Sequence, residues 1–115
     1  MKIAQLFTDA RYLGRAKGDR QSYYIFNSAG GYLVVAPSSD RSFNVNVVDA
    51  QAPEVITKAF KGKRLTTVRL RKSGRRPELF GTPFLCLNAL YVMVALGRAR
   101  KLNIREGRAI VFKIR

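Results

Sequence analysis

The sequence predicts one α+β domain, in which a three-stranded antiparallel meander is followed by a helical half that ends in a β-hairpin. Three observations lead to this prediction. Residues 83–97 are almost entirely apolar, residues 21–49 contain three strand-like runs, and residues 102–114 alternate around a turn. The length of 115 residues fits a single domain. We expect residues 1–50 to hold a helix and the meander, and residues 51–115 to form the helical half.

The first segment has the spacing of an amphipathic helix. Apolar residues recur every three or four positions between residues 3 and 13, and Gly14 follows them. We therefore expect a short helix here, followed by a polar loop at residues 15–20. Polar residues interrupt the start of the chain too early for a signal peptide, so we expect a soluble, cytoplasmic protein with no membrane partner.

The meander is predicted from three runs at residues 21–26, 32–36 and 41–49. Glycine-containing and Pro-Ser-Ser-Asp segments separate them, and such residues favour turns. In the third run, Phe43, Val45 and Val47 alternate with asparagines, which is typical of a half-buried strand. The apolar face of such a meander needs a helix to cover it.

Four aromatic residues lie in the first two runs: Tyr23, Tyr24, Phe26 and Tyr32. Aromatic side chains on a sheet can stack on nucleic-acid bases. They also commonly fill or cover a sheet. The sequence leaves both interpretations open and favours the second.

The predicted central helix covers residues 83–97. Thr82 can cap its first turn, Pro83 suits the first helical position, and Gly97 can end it. Only Asn88 is clearly polar within it, and a helix that is apolar on every side must be surrounded by protein. It is too short to cross a bilayer, which needs roughly 20 apolar residues.

A second helix is predicted at residues 52–60, where Pro53 suits the first turn and Gly62 can follow the end. Residues 61–76 then contain eight basic residues and no acidic one. Within this run, Thr66 can cap a short helix at residues 66–73, although Thr-Thr-Val also favours a strand. We favour the helix. The short loop near residues 74–77 is the best candidate for a domain break.

Charge is distributed unevenly along the chain. The sequence has 22 basic and 7 acidic residues, a net charge of +15, of which +2 lies in residues 1–50 and +13 in residues 51–115. A cationic excess of this size promotes binding to nucleic acid. The basic side chains that we expect to contact an anionic partner all lie in the second half: Lys61, Lys63, Arg64, Arg69, Arg71, Lys72, Arg75, Arg76, Arg98, Arg100, Lys101, Arg105 and Arg108.

The composition excludes several kinds of chemistry. The chain has no histidine, which excludes Cys/His zinc sites and mechanisms that use a histidine base. Its single cysteine, Cys86, lies inside the apolar helix and is expected to be a buried core residue. The seven carboxylates are scattered without the spacing of an acid–base pair or a metal cluster. We expect no catalytic residue, no metal and no cofactor, although a metal-free ribonuclease that uses Lys, Arg and Tyr would leave no spacing signature.

The element order of residues 52–115 resembles a winged helix-turn-helix. Helices at 52–60, 66–73 and 83–97 are followed by a basic hairpin at 102–114 in the place of the wing. In that superfamily the third helix commonly enters the major groove and the wing contacts the backbone. Residues 84–96 depart from this pattern, because they have no polar face with which to read bases. The resemblance therefore implies phosphate contacts from residues that flank the helix.

These observations favour a nucleic-acid-binding protein. The preferred partner is double-stranded DNA, held through phosphate contacts in a regulatory or architectural role such as transcription regulation. The alternatives are an RNA-binding protein or RNA-cleaving toxin, and an interaction module for an acidic protein. A homodimer formed through the apolar helix would place two basic surfaces side by side.

Overall fold

The computed structural model describes residues 9–38 and 41–115. Most of the predicted N-terminal helix lies outside the described residues. Where its end is described the prediction is wrong, because Tyr12 and Leu13 lie in a strand, β1 (Arg11–Lys17). The predicted polar loop is correspondingly shorter, since residues 15–17 belong to the same strand. Pairing with the next strand outweighs the helical spacing of this segment.

The N-terminal half forms a four-stranded antiparallel sheet rather than a three-stranded one. β1 is followed by β2 (Ser22–Ser28), β3 (Gly31–Pro37) and β4 (Phe43–Val48), and the spatial order is β1-β2-β3-β4. Gly31 makes the β2–β3 turn possible. Its φ is +136°, and a Cβ at this position would lie 2.3 Å from the carbonyl oxygen of Val48.

The alternation predicted for the third run is present in β4, but the prediction of which face is buried is wrong. Phe43, Val45 and Val47 are exposed, whereas Val48 belongs to the core. A period of two shows that the two faces of a strand differ, and the position of the covering helix decides which face is buried.

The second half contains four helices and a small sheet. The helices are α1 (Ala52–Phe60), α2 (Thr67–Lys72), α3 (Pro77–Phe80) and α4 (Pro83–Ala95). The strands are β5 (Arg64–Leu65), β6 (Ala99–Glu106) and β7 (Ala109–Ile114), in the antiparallel order β5-β7-β6. The structure thus resolves the ambiguous segment into a two-residue strand and a helix, and it adds α3, which the sequence did not predict.

Two threonine caps fix the starts of α2 and α4. The Thr66 hydroxyl accepts a hydrogen bond from the amide of Arg69 at 3.1 Å, and the Thr82 hydroxyl accepts one from Leu85 at 3.1 Å. Both caps were predicted. α4 ends two residues earlier than expected, at Ala95, and Gly97 follows with a φ of +74°.

α4 is the centre of the core. Cys86 and the run from Asn88 to Met93 are buried, so the middle of the helix is covered on all sides as its sequence predicted, whereas Phe84 in the first turn is exposed. One hydrophobic cluster contains α4, inward residues of the four-stranded sheet such as Ile25, and Phe112 of the small sheet. These residues are packed inside the chain and are therefore not at its surface.

Tyr91 of α4 joins the two sheets through aromatic contacts. Its ring stacks on Tyr23 of β2, with centroids 4.3 Å apart, and meets Phe112 of β7 edge to face at 5.9 Å. The helix therefore lies between the four-stranded sheet on one side and the small sheet with its helices on the other. Among the described residues, no helix has the length and apolar character needed to cross a membrane.

The burial of α4 predicts the effect of a charge placed inside it. Val92 is fully buried, so Val92→Asp would place an unpaired carboxylate in the core and should destabilise the fold by more than about 4 kcal/mol. Phe84→Asp is the matched control, because Phe84 is exposed in the first turn of the same helix, where a negative charge is favourable. Thermal unfolding followed by circular dichroism should show a cooperative transition for Phe84→Asp only. An unchanged transition in Val92→Asp would contradict the central role of α4.

Candidate nucleic-acid interface

Three cations form a row across the outer face of the small sheet. Arg64 of β5 lies directly opposite Lys113 of β7, and Lys113 lies directly opposite Arg100 of β6. Residues that lie opposite each other in antiparallel strands point to the same face. The next residues along, Leu65 and Phe112, are buried and point to the core. The fold therefore places all three charges on the face turned away from the core.

This row has an electrostatic cost. Side chains directly opposite each other have Cβ atoms roughly 5 Å apart, and like charges at that separation repel. Within residues 9–38 and 41–115, no carboxylate forms an ion pair with Arg64, Lys113 or Arg100. The Lys113 ammonium donates a hydrogen bond to the carbonyl oxygen of Gly62 at 2.5 Å, which leaves its charge uncompensated. An anion placed on this face would relieve the repulsion.

More exposed cations precede and follow β5 in the chain. Lys61 and Lys63 are exposed in the connection from α1 to β5, and Arg71 and Lys72 are exposed on α2. After α2, the Arg75 guanidinium lies 5.9 Å from the centre of the Phe60 ring. Between Lys61 and Arg75 the chain therefore has several exposed cations that form no ion pair with a described carboxylate.

A shallow groove lies between α1 and the loop after α2. Lys58, Arg75 and Arg76 line it together with Val55 and Ala59. Arg76 adopts a left-handed backbone with a φ of +42° and donates a hydrogen bond to the side-chain oxygen of Gln51 at 3.0 Å. The groove is therefore positively charged, although Arg76 is partly engaged by its neighbours.

Five of the thirteen predicted cations are paired with carboxylates of the same chain. Glu106 accepts from Arg69 at 2.5 Å, and Glu54 accepts from Arg98 at 2.6 Å. The other pairs are Arg76 with Glu78, Lys101 with Asp19 at 2.8 Å, and Arg105 with Asp19. All of these groups are at least partly exposed, so an external phosphate would compete with the internal carboxylate for each cation.

The remaining eight predicted cations form no ion pair with a described carboxylate, and these eight are Lys61, Lys63, Arg64, Arg71, Lys72, Arg75, Arg100 and Arg108. Lys113, which is the centre of the row, is not among the predicted cations. The alternation in residues 110–114 did indicate a cationic outer face for the hairpin. The row itself could not be predicted without knowing that β7 pairs with β5. This pairing brings together Arg64 and Lys113, which are 49 positions apart in the chain.

Asp19 connects the β1–β2 turn to the hairpin. The turn is tight because Gly18 donates its amide to the carbonyl oxygen of Gln21 at 2.9 Å. A Cβ on Gly18 would lie 2.7 Å from the ring of Tyr23 and 3.0 Å from the hydroxyl of Tyr91. Glycine therefore allows the turn to approach the core closely enough for Asp19 to reach Lys101 and Arg105. Hydrogen bonds from Lys101 and then Arg105 lower the pKa of Asp19 below 3.8.

The four aromatic residues of the meander do not form one stacking surface. Tyr23 and Tyr32 pack against the core, whereas Tyr24 and Phe26 lie on the opposite face of the sheet. Alternation along β2 separates Tyr23 from Tyr24 by necessity. This arrangement favours the interpretation of these residues as sheet core and sheet cover.

The described residues contain no group of three or more His, Cys, Asp or Glu side chains that could hold a metal ion. Burial raises the pKa of the Cys86 thiol to about 11 and that of the Tyr91 hydroxyl to about 12. Both groups therefore stay protonated near neutral pH, where neither acts as a base or nucleophile.

Comparison of the chain with protein-family models, curated proteins and solved structures finds no match.

The lowered pKa of Asp19 predicts a pH-dependent contribution to stability. A carboxyl whose pKa falls on folding stabilises the protein above its unfolded-state pKa, near 3.8, and loses this effect as pH falls through its lower folded-state pKa. Asp19→Asn should therefore be less stable than the parent near pH 6, by a small amount because the pair is exposed. The two proteins should converge as the pH falls through the lowered folded-state pKa of Asp19. Urea unfolding at several pH values measures this difference, and a constant difference at all pH values would contradict the ion-pair assignment.

Proposed function

We propose that this protein binds duplex nucleic acid, with double-stranded DNA preferred, through phosphate contacts on the outer face of the small sheet. The observation that carries the proposal is the row of Arg64, Lys113 and Arg100 across three adjacent strands. Three repelling charges on one face are costly to the free protein, and phosphates compensate them. Release of the counterions condensed on the nucleic acid then supplies the binding free energy.

The dimensions of the row suit a phosphate backbone. Adjacent strands lie about 4.8 Å apart, so the three Cα positions span about 10 Å, and the long side chains extend this reach. The ends of the row can therefore contact different phosphates. Arg115 follows Lys113 by two residues, which extends the cationic surface along the direction of the strand.

A duplex suits this surface better than a single strand. Proteins that hold single strands combine cations with aromatic rings on which bases stack. The row contains no aromatic residue, and within residues 9–38 and 41–115 the one ring with a cation over its face is Phe60, which is approached by Arg75. Contacts of this kind hold the backbone and carry little sequence information, which fits a regulatory or architectural role.

The preference for DNA also rests on the proposed likeness of residues 52–115 to a winged helix-turn-helix. The order α1, β5, α2, α4 and hairpin supports it, and so does the cationic hairpin tip. The chain differs from a winged helix-turn-helix at α4, because the buried residues of this helix cannot enter a groove of the DNA. In our proposal the contacts come from β5, the hairpin, α2 and the loop that follows it.

The row should dominate the salt dependence of binding. Replacing Arg64, Arg100 and Lys113 together by Gln should weaken binding to all duplex sequences alike. It should also flatten the slope of log affinity against log salt by about 0.9 for each lost phosphate contact, or about 2.7 in all. Fluorescence anisotropy with duplex DNA, duplex RNA and single-stranded probes at several salt concentrations measures both quantities.

A matched control comes from β1. Replacing Arg11, Arg15 and Lys17 by Gln removes the same charge from three exposed positions on the other sheet. This control should keep nearly the parent slope. Equal losses in the two triple variants would indicate that net charge, rather than the row, determines binding. A larger loss in the β1 variant would contradict the proposed surface, and cleavage of the RNA probe would favour the toxin alternative.

The hairpin tip provides a finer test, because two arginines there differ in their internal pairing. Arg105 is bound by Asp19, whereas Arg108 forms no ion pair with a described carboxylate. Arg108→Gln should therefore lower the salt slope by up to about 0.9, and Arg105→Gln should lower it less. The same titrations compare the two single variants, and a larger effect at Arg105 would show that phosphate displaces Asp19.

A further inference from the structure

Exposed apolar side chains collect on the face of the four-stranded sheet that is turned away from α4. On β4, Phe43 is 64% exposed, Val45 37% and Val47 49%. Tyr24, Phe26 and Val35 continue the same face and line a shallow apolar depression together with β4. A contiguous apolar surface of this kind on a soluble domain commonly marks an interface.

The two edges of this sheet differ in their protection against pairing. β1 has a bulge between Tyr12 and Gly14, and it carries the cations Arg11, Arg15 and Lys17. Bulges and charged side chains are the devices that keep an edge strand from pairing with another chain. β1 is therefore a protected edge.

β4 has none of these devices. Its sequence, Phe-Asn-Val-Asn-Val-Val, contains no charge and no proline, and its register with β3 is continuous from Phe43 to Val48. Within the part of the chain that the structure describes, no strand pairs with its outer side. Such a regular, uncharged edge is able to accept another strand.

The sequence of β4 is complementary to itself in the antiparallel direction. A two-fold axis through Val45 places Phe43 opposite Val47 of a second copy and Val45 opposite its equivalent. Asn44 then lies opposite Asn46 on the other face. Apolar side chains thus meet apolar side chains, and amides meet amides, as an isologous interface requires.

Charge disfavours an anionic partner at this edge, and β4 places no cation between two copies of the chain. Each copy has a net charge of +15, so two copies repel each other over most of their surface. β4 is uncharged, and the cationic row lies on the other sheet. An acidic partner or a nucleic acid would find no cation on β4 to bind.

We propose that two copies of this protein pair through β4 in antiparallel fashion, with the two-fold axis at Val45. The pair forms a continuous eight-stranded sheet, and the apolar outer faces of the two halves become one surface. Edge pairing of two six-residue strands buries less than a standard interface of about 1,600 Å². The association is therefore weak and reversible, and it does not depend on the binding of nucleic acid.

Sedimentation equilibrium of the full chain without nucleic acid tests the proposal from about 1 μM to about 1 mM, a range that covers weak dimers. The parent should form dimers within this range. Val45→Lys should be monomeric, because it places two cations opposite each other at the axis. Tyr12→Lys is the matched control, since Tyr12 is exposed on the same face at the opposite edge and should leave the dimer intact. A parent that stays monomeric throughout, or a Val45→Lys variant that still dimerises, would overturn the proposal.

Cysteine cross-linking tests the register and does not rely on the lysine variants. Opposite residues of antiparallel strands have Cα atoms about 4.5–5.5 Å apart, within the range of about 4.4–6.8 Å that disulfides require. Val45→Cys should therefore form an intermolecular disulfide under mild oxidation. Val47→Cys should not, because its equivalent lies about 13 Å away along the strands. The native Cys86 is buried and does not interfere.

The remaining outcomes separate edge pairing from other modes of association. Loss of the dimer in Tyr12→Lys as well as in Val45→Lys would indicate that the two sheets pack face to face, which contradicts edge pairing. Faster cross-linking of Val47→Cys than of Val45→Cys would contradict the axis at Val45. Circular dichroism of each variant confirms that a monomeric variant is folded.

Discussion

The burial of α4 between two sheets is the constraint on which the rest of the structure depends. A helix that is apolar on every side cannot lie at a surface, so the chain must supply cover for both of its sides. The four-stranded sheet covers one side, and the small sheet with α1, α2 and α3 covers the other. Tyr91 contacts both sheets, through Tyr23 of β2 and Phe112 of β7. Neither half of the chain would have a complete core without this helix.

The same constraint decides where charge can lie. The inner face of the small sheet packs on α4 and is apolar at Leu65 and Phe112. Lys101 and Arg105 are the exceptions on that face, opposite Phe112 and Ile110, and Asp19 binds both of them at the periphery. The other face of the small sheet is turned away from α4, and there β5, β7 and β6 bring Arg64, Lys113 and Arg100 together. The cationic row is therefore a consequence of the buried helix as much as of the basic composition.

Local signals in the sequence predicted local structure well. Thr66, Thr82 and Pro83 define helix starts through contacts within three residues, and all three were identified. Non-local pairings were not predictable in the same way. The alternation of Phe43, Val45 and Val47 indicated a strand but not which of its faces meets α4. Asp19 is 82 residues from Lys101, and nothing in the sequence indicated that this pair would neutralise a predicted binding residue. The row around Lys113 required a strand pairing that periodicity does not reveal.

The cationic row and the edge of β4 are two separate surfaces that differ in charge. In our proposals the cationic row binds phosphates and the edge of β4 binds a second copy of the chain, and the two surfaces lie on different sheets. Binding at one surface therefore need not block the other. If a duplex holds two copies close together, it raises the effective concentration of each β4 edge for the other, and pairing of the edges in turn raises the affinity of both rows for the duplex. Thermodynamic linkage requires these two effects to be equal. A weak dimer interface and a phosphate surface of low specificity can together give strong binding, although neither does so alone.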